Sequence, residues 1–236
     1  MTDPARLAAT RAEILGEIAD AAARSGRNAA AVRVVAVSKT VEPARITAAA
    51  AAGWDTFGEN RVQERTAKAG ELADLRAEWH LIGPLQSNKA RKAVELFDVI
   101  ESVGSTELAR RLDRVAGEVR PGRPMPVLLQ VNVDDDPAKA GFGRDDLARE
   151  LPAILFLPNL RVDGLMTVGR LVDQAEDARP TFVALRELAG DLRGREAHLG
   201  TDLSMGMSGD YAIAVEEGAT IVRIGRAIFG DRPHHG

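Results

Sequence analysis

The 236-residue sequence has no cysteine, which excludes disulfides, thiolate metal sites and cysteine nucleophiles. Histidine is scarce too. His80, His198, His234 and His235 are the whole set, and none shows the i, i+4 spacing of a helical metal site. His234 and His235 stand in a Pro-His-His-Gly tail that reads as solvated. An excess of positive charge is also missing: 31 Lys plus Arg face 35 Asp plus Glu, for a net charge of −4 and a pI near 5.7. There is thus no electrostatic case for nucleic acid or an anionic membrane as partner. No apolar run reaches the length of a membrane span. The N-terminal stretch, with Asp3, Arg6, Arg11 and Glu13 among its apolar residues, lacks the unbroken core of a signal peptide. The expected location is cytoplasmic.

Lysine is the rare cation, at Lys39, Lys68, Lys89, Lys92 and Lys139 only. Wherever any cation serves, this chain mostly uses arginine, which stays charged and cannot form a Schiff base. Lys39 is therefore informative. It follows Val-Arg-Val-Val-Ala-Val-Ser, residues 32 to 38, an apolar run rich in β-branched residues that reads as a strand buried on both faces. An amine at the carboxyl end of such a strand sits where ligands collect in parallel α/β proteins. In an apolar pocket it can lose its proton and attack a carbonyl. The plainer alternative is a solvated lysine at the start of a loop.

Helix-period and strand-period segments alternate along the rest of the chain. An amphipathic helix over 3 to 24, with Leu7, Ile14, Leu15 and Ile18 on one face, precedes the first strand. Glu42-Pro43 opens an alanine-rich helix that stops at Gly53. Further strands are expected at 54 to 57, 79 to 82, 97 to 101, 127 to 132, 160 to 166, 202 to 205 and 220 to 225. Helices are expected near 61 to 75, 88 to 95, 105 to 118, 144 to 155 and 175 to 193. Eight strands alternating with helices predict an α/β fold, a (β/α)8 TIM barrel with an extra N-terminal helix. A doubly wound open sheet is the alternative, but Ser38-Lys39-Thr40 stands where a dinucleotide glycine turn belongs. With no linker, repeat or low-complexity tract, residues 1 to 236 read as a single domain.

In a barrel the strand ends converge on one mouth, gathering Lys39, Asn60, His80, Asn132, Met166, Met205 and Arg223 around it. Ser204-Met205-Gly206-Met207-Ser208-Gly209-Asp210 and Val222-Arg223-Ile224-Gly225-Arg226 each place glycine and small polar groups between a strand and a helix. Free backbone N–H groups there favour an anion, and barrels often bind phosphate after strands seven and eight. Read alone, His80 beside Trp79 is a hydrogen-bonded core residue, Gln86 to Lys92 a solvated helix start, and Asp134-Asp135-Asp136 a polar loop rather than a calcium site.

Six ordered segments then carry a family resemblance: Ala36-Val37-Ser38-Lys39-Thr40; Phe57-Gly58-Glu59-Asn60-Arg61-Val62-Gln63-Glu64; Trp79 through Lys89; Gly164-Leu165-Met166; Leu203 through Ser208; and Val222 through Gly230. In this order they resemble the pyridoxal phosphate homeostasis protein family, the YggS and PROSC group. The resemblance implies a barrel similar to the N-terminal domain of alanine racemase, with pyridoxal 5′-phosphate held as an internal aldimine on Lys39. It implies that Arg223 faces the pyridine nitrogen and keeps it unprotonated, weakening the cofactor as an electron sink. It further implies that Ser208, Gly225 and the backbone of Arg226 hold the phosphate, and that Asn60, His80 and Met166 line the pocket. Two positions depart from the family: Ala212 stands where it usually carries glutamate, and Arg226 where threonine or serine is common.

The function so implied is a non-enzymatic protein of vitamin B6 homeostasis that stores, buffers or delivers the cofactor, with pyridoxal-phosphate-dependent apoenzymes as candidate recipients. The relatives that racemise use a tyrosine from a second domain, and the only tyrosine here is Tyr211. Without that dimerisation domain, a monomer is expected. The alternatives are a pyridoxal-phosphate racemase or lyase with Lys39 as base, a cofactor-free Schiff-base aldolase, and a regulatory protein whose cofactor reports B6 status. Lys89 and Lys139, near strand ends, are candidates for a second aldimine.

Overall fold

The computed structural model describes residues 4–169 and 172–230. Eight strands, β1 (Arg33–Val37), β2 (Thr56–Glu59), β3 (Glu78–Leu81), β4 (Val99–Val103), β5 (Met125–Gln130), β6 (Leu160–Met166), β7 (Asp202–Ser204) and β8 (Ile221–Ile224), close in sequence order into a barrel. Every neighbouring pair is parallel, including β1 with β8, where Val35 stands opposite Arg223. The helices are α1 (Pro4–Arg24), α2 (Pro43–Ala51), α3 (Val62–Lys68), α4 (Ala90–Leu96), α5 (Thr106–Val119), α6 (Arg144–Leu155), α7 (Arg179–Arg195), α8 (Tyr211–Glu216) and the short α9 (Arg226–Phe229). This is the expected (β/α)8 barrel with its additional N-terminal helix.

The two-residue side-chain period of the strands produces two cores. Residues on the outer side, including Ala36, Phe57, Trp79, Leu81, Ile100, Leu129, Leu165, Leu203, Val222 and Ile224, pack under the helices in one large cluster. Phe57 and Trp79 stack there with ring centroids 5.4 Å apart. A separate small cluster of Val35, Leu128, Met166 and Ile221 fills part of the barrel interior. The remaining interior is polar, and that space becomes the site.

Local chemistry sets the element ends. Ser105 caps α5, its hydroxyl accepting from the Leu108 N–H at 3.1 Å. The apolar face of that helix, Leu108, Ala109, Leu112, Val115 and Ala116, is buried. Only β6 matches its expected bounds throughout; β1, β3, β7 and β8 differ by a residue at one or both ends, and β2, β4 and β5 are displaced by two. β1 stops at Val37, before Lys39. Trp54 falls outside β2 because its N–H bonds to Ala49 O, closing the end of α2. Phe97 falls outside β4 because it caps α4 through Ala93 O. β5 lies two residues earlier than expected, leaving Asn132 in the following loop. That residue bonds the backbone of Asp136 through both ends of its amide, at 2.8 and 3.1 Å, and so organises the acidic loop just past the carboxyl end of β5. The expected helix over 61 to 75 is helical only through Lys68.

Candidate functional site

Lys39 is half-buried, two residues past the carboxyl end of β1, in a turn whose next residue, Thr40, has φ 61°. Ser38 before it is fully buried and bonded through every polar group. Its N–H donates to Gly58 O at 2.9 Å and its hydroxyl to Glu59 Oε1 at 2.7 Å, while its carbonyl accepts from the Val41 N–H at 3.0 Å and Lys68 Nζ at 2.9 Å. Lys68 Nζ also meets Glu59 Oε1 at 2.8 Å. Burial pushes the Glu59 carboxyl above the usual carboxylate range, against the pull of Lys68 and the hydrogen bond from Ser38.

A continuous buried polar chain crosses the barrel below the mouth. His80 Nδ1 lies 2.5 Å from Glu101 Oε1, and Nε2 lies 3.2 Å from Glu78 Oε1. The other oxygen of Glu101 accepts from the Ser204 hydroxyl at 2.5 Å. That hydroxyl in turn accepts from Arg223 Nη1 at 2.5 Å, and Nη2 donates to Thr167 O at 2.7 Å. Glu101 on β4 reaches Ser204 on β7, three strands away, which only the barrel interior permits. Burial alone would lower the His80 pKa, but the hydrogen bonds and charges of Glu101 and Glu78 outweigh it and hold the imidazole up at about 9. Burial opposes ionisation of Glu101, yet His80, Arg223 and Ser204 keep its carboxyl below the usual range. Burial also lowers Arg223, which Glu101 and Asp210 counter. The net picture is imidazolium, carboxylate and guanidinium in a row. Nε of Arg223 makes no hydrogen bond to the described residues.

The turns after β7 and β8 meet at Ser208, whose hydroxyl accepts from the N–H groups of Gly225 and Ala227 at 3.2 and 3.4 Å. The first turn is held by Asp210, which accepts from the Met207 N–H at 2.6 Å. Gly206 has φ 92°, and a Cβ there would fall 2.6 Å from that of Ala214, so only glycine lets this turn lie against α8. On the opposite wall Gly83 does comparable work: a Cβ would stand 2.3 Å from Asn60 O, so its absence brings the Asn60 bend against the end of β3.

Of the residues singled out from sequence, Lys39, Asn60, Met166, Ser208, Arg223, Gly225 and Arg226 all lie at or just past strand carboxyl ends, on one face of the barrel. His80 and Met166 are fully buried, the first within the polar chain and the second in the interior apolar cluster. Arg226 has an exposed side chain. Ala212 packs against the outer core. Lys139 is ion-paired with Asp134 at 3.1 Å. Sequence reasoning gave no role to Glu101, Thr167, Glu59 and Lys68, and named Ser204 only within the turn after β7. Glu59 and Ser204 lay inside the family segments, and Glu101, a carboxylate ending an otherwise apolar run, was the one remaining signal. A cleft of about 590 Å³ lies on the outer helix layer, lined by residues such as Ser87, Arg110, Arg111, Arg114 and Arg149 and by none of the residues singled out from sequence for the site. Among the described residues there is no cluster suited to a metal ion, and no helix is long and apolar enough to cross a membrane.

Residues 15–233 match the family model described as alanine racemase, N-terminal domain. The chain is 44% identical over 226 residues to a pyridoxal phosphate homeostasis protein of Pseudomonas aeruginosa, covering 94% of both chains. Its fold is similar to that of PipY from Synechococcus elongatus, solved with pyridoxal phosphate (PLP) bound, with TM-score 0.80, 46% identity, and coverage of 90% of this chain and all of that one. Alanine racemase from Clostridium difficile shares the fold alone, at 13% identity and TM-score 0.71, covering 94% of this chain and 60% of that one. By sequence along nearly its whole length and by fold, the chain belongs to the pyridoxal phosphate homeostasis protein family, built on the alanine racemase N-terminal domain.

Proposed function

We propose that this protein binds pyridoxal 5′-phosphate at the barrel mouth, covalently through Lys39, and serves cofactor homeostasis without turnover of its own. The observation that carries the reading is the joining of the β7 and β8 turns at Ser208, on the barrel face that also holds Lys39. At 3.2 and 3.4 Å the two N–H bonds to the Ser208 hydroxyl are long, so a phosphate oxygen is a better acceptor for both donors. The residues present fit the group. Gly225 and Ala227 supply backbone donors, Ser208 a hydroxyl, and Arg223 an Nε without a protein partner among the described residues. When bound, the cofactor supplies an aldehyde that a lysine amine captures as a Schiff base.

Other residues of this chain set the limits of that chemistry. Arg223 is fixed by Ser204 and Thr167, so its charge is held in one place, and a guanidinium can donate a hydrogen bond to a ring nitrogen beside it without giving up its proton. Proton transfer on both faces of a substrate needs two placed acid–base groups. Tyr211, the only tyrosine, donates instead to Glu17 Oε2 at 2.5 Å on α1, and burial together with that carboxylate raises its pKa. His80 is committed at both ring nitrogens. These commitments support a holding role over a catalytic one.

The test is the visible absorption of wild type and Lys39→Ala before and after addition of pyridoxal phosphate and then borohydride. A wild-type band bleached by borohydride and missing in the mutant is the expected result. A wild type that takes up no cofactor overturns the reading. Turnover of amino acids at ordinary enzyme rates, abolished by Lys39→Ala, would overturn the non-catalytic part.

A further inference from the structure

The turn carrying Lys39 is strained. Thr40 is β-branched, yet it holds φ 61°, a left-handed conformation that such residues rarely adopt. A backbone in this state persists only where its surroundings over-determine it. The surroundings here are Ser38, Glu59 and Lys68. Lys68 reaches from the last turn of α3 to both the Ser38 carbonyl and Glu59 Oε1, and the Ser38 hydroxyl closes the ring on the same oxygen. Glu59 is 0% exposed and Lys68 9%.

Stability alone is a poor account of this arrangement. A buried ion pair is often no better than an apolar pair of the same volume, and Glu59 Oε2 is buried without a hydrogen-bond partner. What the pair does achieve is a fixed Ser38. With both carbonyl and hydroxyl of that residue tied to α3 and β2, the chain leaving β1 has one direction, and the left-handed Thr40 is what turns it back toward α2.

We propose that Glu59 and Lys68 form a positioning clamp that holds the strained turn so that the Lys39 amine is presented at the mouth. The clamp touches no ligand and acts on Lys39 only through Ser38. Its functional side rests on the reading of Lys39 as the attachment residue, while its structural side does not.

The experiment compares full-length wild type, Lys68→Met and Lys68→Arg. Amide hydrogen exchange without cofactor reports the turn directly, since the Ser38 and Val41 N–H groups are both bonded in it. Lys68→Met is expected to speed exchange at residues 38 to 41 by tenfold or more while β5 and β6 keep their protection, with Lys68→Arg largely restoring it. Unchanged exchange in the turn, or equal acceleration throughout the barrel, overturns the clamp. The second readout is the rate at which loaded protein releases pyridoxal phosphate, expected to rise about tenfold in Lys68→Met; normal loading with an unchanged rate also overturns the proposal. A wild type that never loads defeats the functional reading instead, and exchange still decides the clamp. If Lys68→Met does not fold, Ser38→Ala removes the hydroxyl bond to Glu59 at 2.7 Å, together with a long one to Gly58 O at 3.4 Å, and should show the same local pattern at about threefold. An unaltered turn in that variant would count against the clamp.

Discussion

Arg223 and Glu101 stand 3.9 Å apart with the Ser204 hydroxyl bonded to both. The bridge turns two desolvated charges into one connected unit and aligns the guanidinium below the mouth. Breaking a buried pair from one side leaves the other charge uncompensated. Glu101→Gln is therefore expected to cost about 3 kcal/mol or more of stability, read from denaturant unfolding. Ser204→Ala should cost roughly 1–3 kcal/mol. Equal and negligible losses would show that the chain of charges is not coupled.

The pH dependence follows from His80. Its pKa is raised to about 9 in the folded protein from 6.5, so the folded state binds its proton more tightly than the unfolded chain does. The resulting stabilisation is complete below about pH 6.5 and is lost as pH rises through about 9. Its size is on the order of 3 kcal/mol. Unfolding free energies at pH 6 and pH 9.5 should differ in that direction, and in His80→Gln the difference should shrink. A wild type more stable at pH 9.5 would refute it.

Ser208→Ala removes the hydroxyl at the junction of the two turns while leaving their backbone donors. Affinity for pyridoxal phosphate should fall roughly tenfold, equivalent to about 1.4 kcal/mol. Affinity for pyridoxal, which lacks the phosphate, should stay the same. Equal losses for both ligands would place the phosphate elsewhere.

Gly83→Ala sets a methyl group against the Asn60 backbone, which has no flexible end to move aside. A loss of about 3 kcal/mol is expected in thermal or denaturant unfolding, together with weaker cofactor uptake because the Asn60 bend must shift. A neutral substitution would mean that the two strand ends are free to separate.

Tyr211→Phe offers the contrasting case. It removes one hydrogen bond to Glu17 on the outer helix layer, for about 1 kcal/mol, and should leave the absorption spectrum of the loaded protein unaltered. A changed spectrum would mean that this tyrosine reaches the mouth after all.

The fold was legible because the signals were local and repeated. Apolar strand runs recur eight times with helix-period segments between them, and Ser105 or Pro43 mark helix starts by their own chemistry. Strand ends were less so. Trp54 and Phe97 have strand-like side chains, but their N–H groups close helices, a backbone commitment that composition does not encode. Of the candidate site, the residues at strand ends, Ser204 among them, were readable by position. The pairing of Ser204 with Glu101 was not, since it joins strands about a hundred residues apart, and no spacing rule predicts which interior carboxylate meets which hydroxyl. Lys68 was hidden for a similar reason: it looks like a surface helix residue until the turn beneath it is seen.

Closure of β8 onto β1 has one more consequence. An open sheet presents unpaired N–H and C=O groups along its two outer strands, a template for joining other chains. Here every strand has neighbours on both sides, so the barrel has no sticky rim. On the proposed function, loaded and unloaded forms would then be equally protected from edge-to-edge aggregation.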